Sequence, residues 1–185
     1  MGFSNLFRPD QYVRTVYEVD FDLLWEQGIR GLFFDVDNTL IPFYENKIPP
    51  EAVKLLTDLR RRGFKVFILS NGRAERVRLM EKQVRLHGFA RSGKPLRYGI
   101  WVLNRKTRLK GRQMATIGDQ VFMDVLCGHL GGGKGILIEP IDRVRDEASV
   151  MKRRAAETKM LHRLGIRQFC ETDSDAQSAA SQKNS

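Results

Sequence analysis

Apolar and polar positions alternate along this chain in blocks. Short runs rich in aromatic and β-branched residues end abruptly, and longer segments with apolar positions three and four apart separate them. Such runs are too short for helices and read as buried strands, while the spaced segments read as helices with one apolar face. The pattern predicts strands near Gly31 to Asp35, Lys65 to Ser70, a short one at Phe89 to Arg91, Met114 to Gly118 and Gly135 to Ile138. Helices are expected from Pro50 to about Arg62, from Ala74 to Leu86 and over Val150 to Leu164. Strands alternating with helices specify the α/β class, here a Rossmann-like three-layer sandwich with a mostly parallel central sheet.

The polar residues that stop these runs carry the chemistry. Phe33-Phe34 leads into Asp35-Val36-Asp37-Asn38-Thr39, and Phe67-Ile68-Leu69 leads into Ser70-Asn71-Gly72. A Gly93-Lys94-Pro95 turn follows, and then Ala115-Thr116-Ile117 runs into Gly118-Asp119 with Asp124 just beyond. An Asp-x-Asp pair alone would be read as a turn or helix cap, since Asp bonds its own backbone. Four polar signatures in order, each after an apolar run or at a turn, change that reading. Ligands of parallel α/β sheets bind beyond the carboxyl ends of the strands, where residues distant in sequence meet. Two carboxylates at a buried strand end are costly without a cation, and Mg²⁺ takes oxygen ligands at an open edge.

These residues resemble the haloacid-dehalogenase-like phosphohydrolases, and within them the capless YqeG-type phosphatases, which are similar to the mitochondrial phosphatidylglycerophosphatases. The closer resemblance rests on Pro9-Asp10-Gln11-Tyr12-Val13, Gly28-Ile29-Arg30-Gly31, Asp35-Val36-Asp37-Asn38-Thr39-Leu40, Gly93-Lys94-Pro95 and Gly118-Asp119-Gln120. The segment after the fourth motif departs from the family pattern at Met123, Cys127 and His129, whereas Asp124 is retained. The resemblance implies that Asp35 attacks phosphorus and forms an aspartyl-phosphate, and that Asp37 serves as acid and then base. To protonate a leaving alkoxide Asp37 must begin protonated, a state that a neighbouring carboxylate and partial burial favour. It implies Mg²⁺ held by Asp35, the main-chain carbonyl of Asp37 and Asp119, with Asp124 in or near the ligand shell. Ser70, the Asn71 amide and Lys94 are the expected phosphoryl contacts, and Thr39 is expected to orient the nucleophile loop or to cap a helix.

Spacing limits the substrate. The intervals from Thr39 to Ser70 and from Ser70 to Lys94 each hold a helix and little else, so no cap domain fits. An open site suits a phosphate on a lipid, a macromolecule or an accessible small molecule. The net charge is +10, and from Arg85 to Gly118 there is no Asp or Glu while Arg85, Arg91, Lys94, Arg97, Arg105, Lys106, Arg108, Lys110 and Arg112 accumulate. Such a patch attracts phosphates, anionic lipid or nucleic acid. The resemblance, taken with the open site and this charge, implies phosphatidylglycerophosphate as the favoured substrate, for a cytoplasmic protein that could lie peripherally at the inner face of the membrane. The alternatives are a small-molecule or nucleotide phosphatase, or a basic nucleic-acid-binding protein with a vestigial site, for which Tyr98 and Trp101 offer few stacking platforms.

The remaining features change little. Phe3, Leu6 and Phe7 before Arg8 could touch a membrane, whereas the basic helix from Val150 is expected to pack its apolar stripe on the core. Cys127 and Cys170 read as free thiols, and His87, His129 and His162 lack metal-pair spacing. Gly131-Gly132-Gly133-Lys134 reads as a turn rather than a phosphate loop. One domain spanning residues 1–170 is expected, with a polar, disordered tail from Glu171.

Overall fold

The computed structural model describes residues 3–95, 105–146 and 148–169. Six strands form one sheet: β1 (Gln11–Val13), β2 (Gly31–Phe34), β3 (Lys65–Leu69), β4 (His87–Phe89), β5 (Met114–Gly118) and β6 (Lys134–Ile138). Their order is β1-β6-β5-β2-β3-β4, and all five pairings are parallel. Helices among the described residues include α1 (Phe21–Glu26), α2 (Pro50–Arg61), α3 (Ala74–Val84), a short α4 (Leu126–Leu130) and α5 (Ala148–Arg163). A π-helical turn, Val121–Val125, runs into α4.

The central strands β2, β3, β5 and β6 are mostly apolar along both sides because both faces of the sheet are covered. Side chains alternate between the faces. Leu32, Phe34, Val66, Ile68, Ala115, Ile117, Ile136 and Ile138 join the core beneath α1, α2 and α3. Phe33, Leu69 and Met114 join Leu109 and Cys127 on the other face, where Leu137 packs with Phe7, Val121, Val125 and Leu161. Helix α2 illustrates the sequence logic. Pro50 opens it where a missing N–H costs nothing, Glu51 sits in its first turn and Arg60 and Arg61 in its last, in keeping with the helix dipole. Ala52, Leu56 and Leu59 form its buried stripe.

Several expected boundaries move for local reasons. Helix α3 stops at Val84 because Arg85 adopts a left-handed conformation, φ 51°, and returns its N–H to Glu81. Strand β4 lies two residues earlier than expected, since Arg91 is also left-handed and its N–H turns to the Gly72 carbonyl. The unforeseen strand β1 is only three residues long and pairs with β6 at the sheet edge. A hub at Asp10 holds it there. Its carboxylate accepts from Lys134 Nζ at 2.7 Å, the Gly135 amide at 2.9 Å and His129 Nε2 at 2.8 Å.

The flanking segments are absorbed into the domain. Phe7 is buried and Leu6 partly so, and their cluster includes Leu161, Met160 and Leu164 of the C-terminal region. The expected core packing of α5 therefore falls at its C-terminal half, while Met151 is exposed. The triple glycine turns the chain into β6, with Gly132 at φ 79°. No helix among the described residues is long and apolar enough to cross a membrane. Arg97, Tyr98, Trp101, Cys170 and the tail from Glu171 lie outside the described residues.

Two outcomes follow from this packing. Leu56→Ala removes a side chain that is 1% exposed and should lower the unfolding free energy by about 2–5 kcal/mol, measured by urea denaturation. Burial pushes the Asp10 carboxyl up, but hydrogen bonds from His129, Lys134 and Gly135 outweigh it and bring its pKa from 3.8 to about 2. A lowered folded pKa stabilises above the unfolded value. The Tm advantage of wild type over Asp10→Asn should thus be complete above pH 3.8 and shrink as pH falls through about 2.

Candidate active site

The sheet reverses direction at β2: β3 and β4 continue to one side, and β5, β6 and β1 lie on the other. That is the switch point at which parallel sheets open a crevice. Register fixes which residues meet there. Phe34 pairs with Ile68 on β3 and with Ile117 on β5. Asp35 therefore stands level with Leu69 and Gly118, and Ser70 and Asp119 come one residue farther out. Asp35 remains tied to the sheet through its N–H to the Ile117 carbonyl, 2.8 Å.

Lys94 is the centre of the site. Its Nζ donates to Asp35 Oδ1 at 2.6 Å and to Asp124 Oδ1 at 2.7 Å. The three side chains are only 4%, 7% and 2% exposed, so water screens this cluster weakly. Burial opposes the Lys94 charge, but the Asp124 and Asp35 carboxylates more than restore it and hold its pKa above the usual lysine range. Burial, with the neighbouring Asp124, Asp119 and Asp37, pushes Asp35 well above the ordinary carboxylate range although Lys94 acts against this. Asp119 is pushed up to about 6, again chiefly by burial, with Arg154 opposing and Asp124 reinforcing. The cluster is short of positive charge.

Asp124 reaches this cluster because residue 118 is glycine. A Cβ there would run into the Asp124 carboxyl group. The π-helical turn supplies the rest of the placement: Thr116 Oγ1 donates to the Asp124 carbonyl at 2.7 Å, and Asp124 Oδ2 accepts from the Gln120 amide at 3.1 Å.

Asp37 is held apart from the other carboxylates. Its Oδ1 accepts from Arg76 Nε at 3.0 Å and from Nη2 at 2.8 Å. Asn38 is left-handed, φ 59°, a conformation that asparagine tolerates, and its Nδ2 donates to Asp146 Oδ1 at 2.7 Å. Asp146 in turn pairs with Arg154, which also pairs with Asp119. Sequence reasoning missed Arg76, Asp146 and Arg154. No sequence signal separates Arg154 from Lys152 and Arg153 beside it, because only the seating of α5 selects it.

Ser70 is buried and lines the cleft, its Oγ accepting from the Gly72 amide at 3.0 Å. The Asn71 side chain fixes the Lys94 loop: Oδ1 accepts from the Lys94 amide at 3.0 Å and from Ser92 Oγ at 2.9 Å. Thr39 is buried, its hydroxyl has no partner among the described residues, and it stands in a turn rather than at a helix cap. It does not line the cleft, whereas Asp35, Asp37, Ser70, Asn71, Lys94 and Asp119 do. Of the departures noted in the sequence, Met123 lines the cleft, Cys127 is buried and His129 serves the Asp10 hub.

The cleft measures about 520 Å³. Among the described residues no inserted domain covers it, since only α2 lies between β2 and β3 and only α3 between β3 and β4. A divalent cation fits its floor. Asp35, Asp119 and Asp124 each offer an oxygen, all within 4.8 Å of one another, and Asp119 Oδ1 is buried without a hydrogen-bond partner among the described residues. Hard oxygen donors of net negative charge are what Mg²⁺ or a similar ion takes. The Asp37 side chain, turned to Arg76, is outside this group.

Residues 3–91 match the family model described as mitochondrial PGP phosphatase. The probable phosphatase YqeG of Bacillus subtilis is 29% identical over 138 residues, spanning 75% of this chain and 80% of its own. Phosphatidylglycerophosphate phosphatase 1, chloroplastic/mitochondrial, of Arabidopsis thaliana is 23% identical over 164 residues, covering 84% of this chain but 47% of its own. Among solved structures, the cobalt-bound deoxy-D-mannose-octulosonate 8-phosphate phosphatase YrbI of Haemophilus influenzae superposes with a TM-score of 0.50 at 15% identity, over 75% of this chain and 91% of that one. That likeness speaks to the fold, and the sequence relatives speak to the lineage. The parallel sheet with its acidic cleft and these sequence relatives together support a haloacid-dehalogenase-like phosphatase similar to the YqeG type.

Proposed function

We propose that the protein hydrolyses a phosphomonoester through an aspartyl-phosphate on Asp35, with Mg²⁺ as cofactor and phosphatidylglycerophosphate as the favoured substrate. The observation that carries this reading is the convergence of Asp35, Asp119 and Lys94 on the floor of one open cleft, with Asp124 buried against Lys94 beneath it. Asp35, Asp119 and Asp124 would hold the metal. When bound, the ion would offset repulsion between the carboxylate nucleophile and the phosphoryl group.

An Asp35 carboxylate oxygen forms the bond to phosphorus while the bond from phosphorus to the substrate oxygen breaks. Asp37 gives its proton to that leaving oxygen. Its Oδ1 is engaged by Arg76, which leaves Oδ2, without a partner among the described residues, for the exchange with the substrate oxygen. In the second half, a water attacks phosphorus, Asp37 takes the water's proton, and the Asp35 oxygen departs with its electron pair to regenerate the carboxylate and free phosphate. Lys94 supplies a buried ammonium beside Asp35 where phosphoryl charge accumulates, and Ser70 and the Asn71 amide are the neutral donors. Asn71 also sets the Lys94 loop through its side chain.

The lipid assignment is supported by the matched family model and by the name of the Arabidopsis relative, together with an open cleft that a large substrate could cover and a net charge of +10. Membrane contact would fall to the basic surface rather than to Phe7, which is buried in the domain. A soluble phosphomonoester on the same site is the second reading, favoured by the absence of any cover over the cleft among the described residues.

Phosphate release from phosphatidylglycerophosphate in micelles, beside a panel of soluble esters, tests the assignment. Preferential, Mg²⁺-dependent lipid turnover is expected, with kcat falling by roughly 10⁴-fold or more in Asp35→Asn. Preferential turnover of a soluble ester would overturn the lipid substrate, and turnover surviving Asp35→Asn would overturn the nucleophile. Gly118→Ala should displace the Asp124 carboxyl, lower the apparent Mg²⁺ affinity in a titration of activity, and cost about 10²-fold in kcat.

A further inference from the structure

Helix α5 carries a buried carboxyl group that the phosphoryl chemistry leaves unused. Glu157 is 3% exposed, and its Oε1 accepts from the Phe122 amide at 2.8 Å. Burial pushes its pKa up to about 8, so at neutral pH it is mostly an uncharged acid. Phe122 belongs to the π-helical turn Val121–Val125, which lies between Asp119 and Asp124 in the chain. Turns of this kind are rare and concentrate at functional sites, and their first N–H groups have no acceptor within the turn. Gln120, at the N-cap, supplies no side-chain bond. The acceptor comes instead from a helix residue 35 positions away.

Two further side chains of α5 reach the same segment. The Arg154 guanidinium pairs with Asp119 Oδ2 and donates through Nη1 to the Asp119 carbonyl at 3.3 Å. Arg153 donates to the Gln120 side-chain carbonyl. One helix therefore holds residues 119, 120 and 122 directly, and its Leu161 packs in one cluster with Val121 and Val125. The span so held sets where the Asp119 and Asp124 carboxylates stand relative to each other and to Asp35, all three offering oxygens within 4.8 Å. Mg²⁺ demands near-octahedral geometry, so its affinity is sensitive to that spacing.

We propose that Glu157 and Arg154 are positioning residues of the cation site, clamping the span from Asp119 to Asp124 so that both carboxylates face the ion together with Asp35. This rests on the cofactor reading above and adds to it the residues that hold the ligands in place. Arg154 fixes Asp119 by Oδ2 and leaves Oδ1, buried with no hydrogen-bond partner among the described residues, as the donor. Glu157 fixes the turn that delivers Asp124. Removing outer partners of this kind typically changes metal affinity by about 10–100-fold. Because Arg154 is charged, its loss alters the field at the site as well as the geometry, whereas the largely neutral Glu157 tests position alone.

Binding of Mn²⁺ and of Mg²⁺ to the full chain without substrate, measured by calorimetry at pH 7, tests the clamp. Glu157→Leu, which removes the acceptor but fills the space, should weaken Kd by about tenfold or more. Glu157→Gln keeps an acceptor oxygen for the Phe122 amide and should bind within about twofold of wild type. A Glu157 that served stability alone would lower Tm in the leucine variant and leave the Kd of the folded protein unchanged, and that result would overturn the proposal. Equal weakening in the two variants would overturn it too, because the hydrogen bond would then not be the cause. Arg154→Lys keeps the charge but not the fork that spans both Asp119 acceptors, and should weaken Kd by roughly fivefold or more. Should Glu157→Leu not fold, this variant decides, and an unchanged Kd overturns the clamp. Asp119→Asn separates the two levels of the argument. Wild-type binding that Asp119→Asn abolishes but the α5 substitutions leave intact overturns the clamp alone, whereas no Asp119-dependent binding by wild type overturns the cofactor reading along with it.

Discussion

Lys94 sits between two buried carboxylates, and the surrounding structure is arranged to keep it there. Three aspartates at one end of a sheet repel one another strongly in a medium that screens weakly, and a lysine placed among them gives back much of that cost only if its geometry is held. Asn71 fastens the backbone of Lys94, and Thr116 and the Gln120 amide fasten Asp124. Arg154 neutralises Asp119 from outside while leaving one of its oxygens unpartnered. The cluster is thus stable enough to form and still short of one positive ion.

The parallel sheet makes this arrangement possible. Registers among β2, β3 and β5 bring Asp35, Ser70 and Asp119 to one edge, and burial on both faces leaves each strand little freedom to slip. The far edge depends on a separate polar hub, where Asp10 gathers β1, β6 and α4 through one carboxylate. Both devices join one charged side chain to several partners through charge-assisted hydrogen bonds, which are the stronger kind.

Charge matching also bears on selectivity. Asp35 and Asp124 share Lys94, Asp119 and Asp146 share Arg154, and Asp37 pairs with Arg76, so Arg73 and Arg153 are lining cations with no carboxylate partner among the described residues. With no inserted domain over the cleft, recognition has to come from its walls: Arg73 at the start of α3 and Arg153 with Val150 on α5. A helix that sequence alone treats as a core-packed amphipath with a basic, solvated face is in fact one wall of the site.

The amino-acid sequence by itself determined the strand cores, the α/β class and the residues at the strand ends, because apolar runs and the polar residues that stop them are local signals. Asp35, Asp37, Ser70, Asn71, Lys94 and Asp119 were legible in that way, and all line the cleft. Asp124 was legible too, though its approach to Lys94 depends on a glycine at 118 whose importance shows only when the two are packed together. Thr39, expected to orient the nucleophile loop or to cap a helix, lies buried in the turn after Asp37 and outside the cleft lining, a placement that only the folded loop sets. Strand β1, the Arg76 clamp on Asp37 and the Arg154 bridge were decided by tertiary structure. Each joins residues far apart in the chain, and a charged residue on a helix carries no local mark of the carboxylate it will meet.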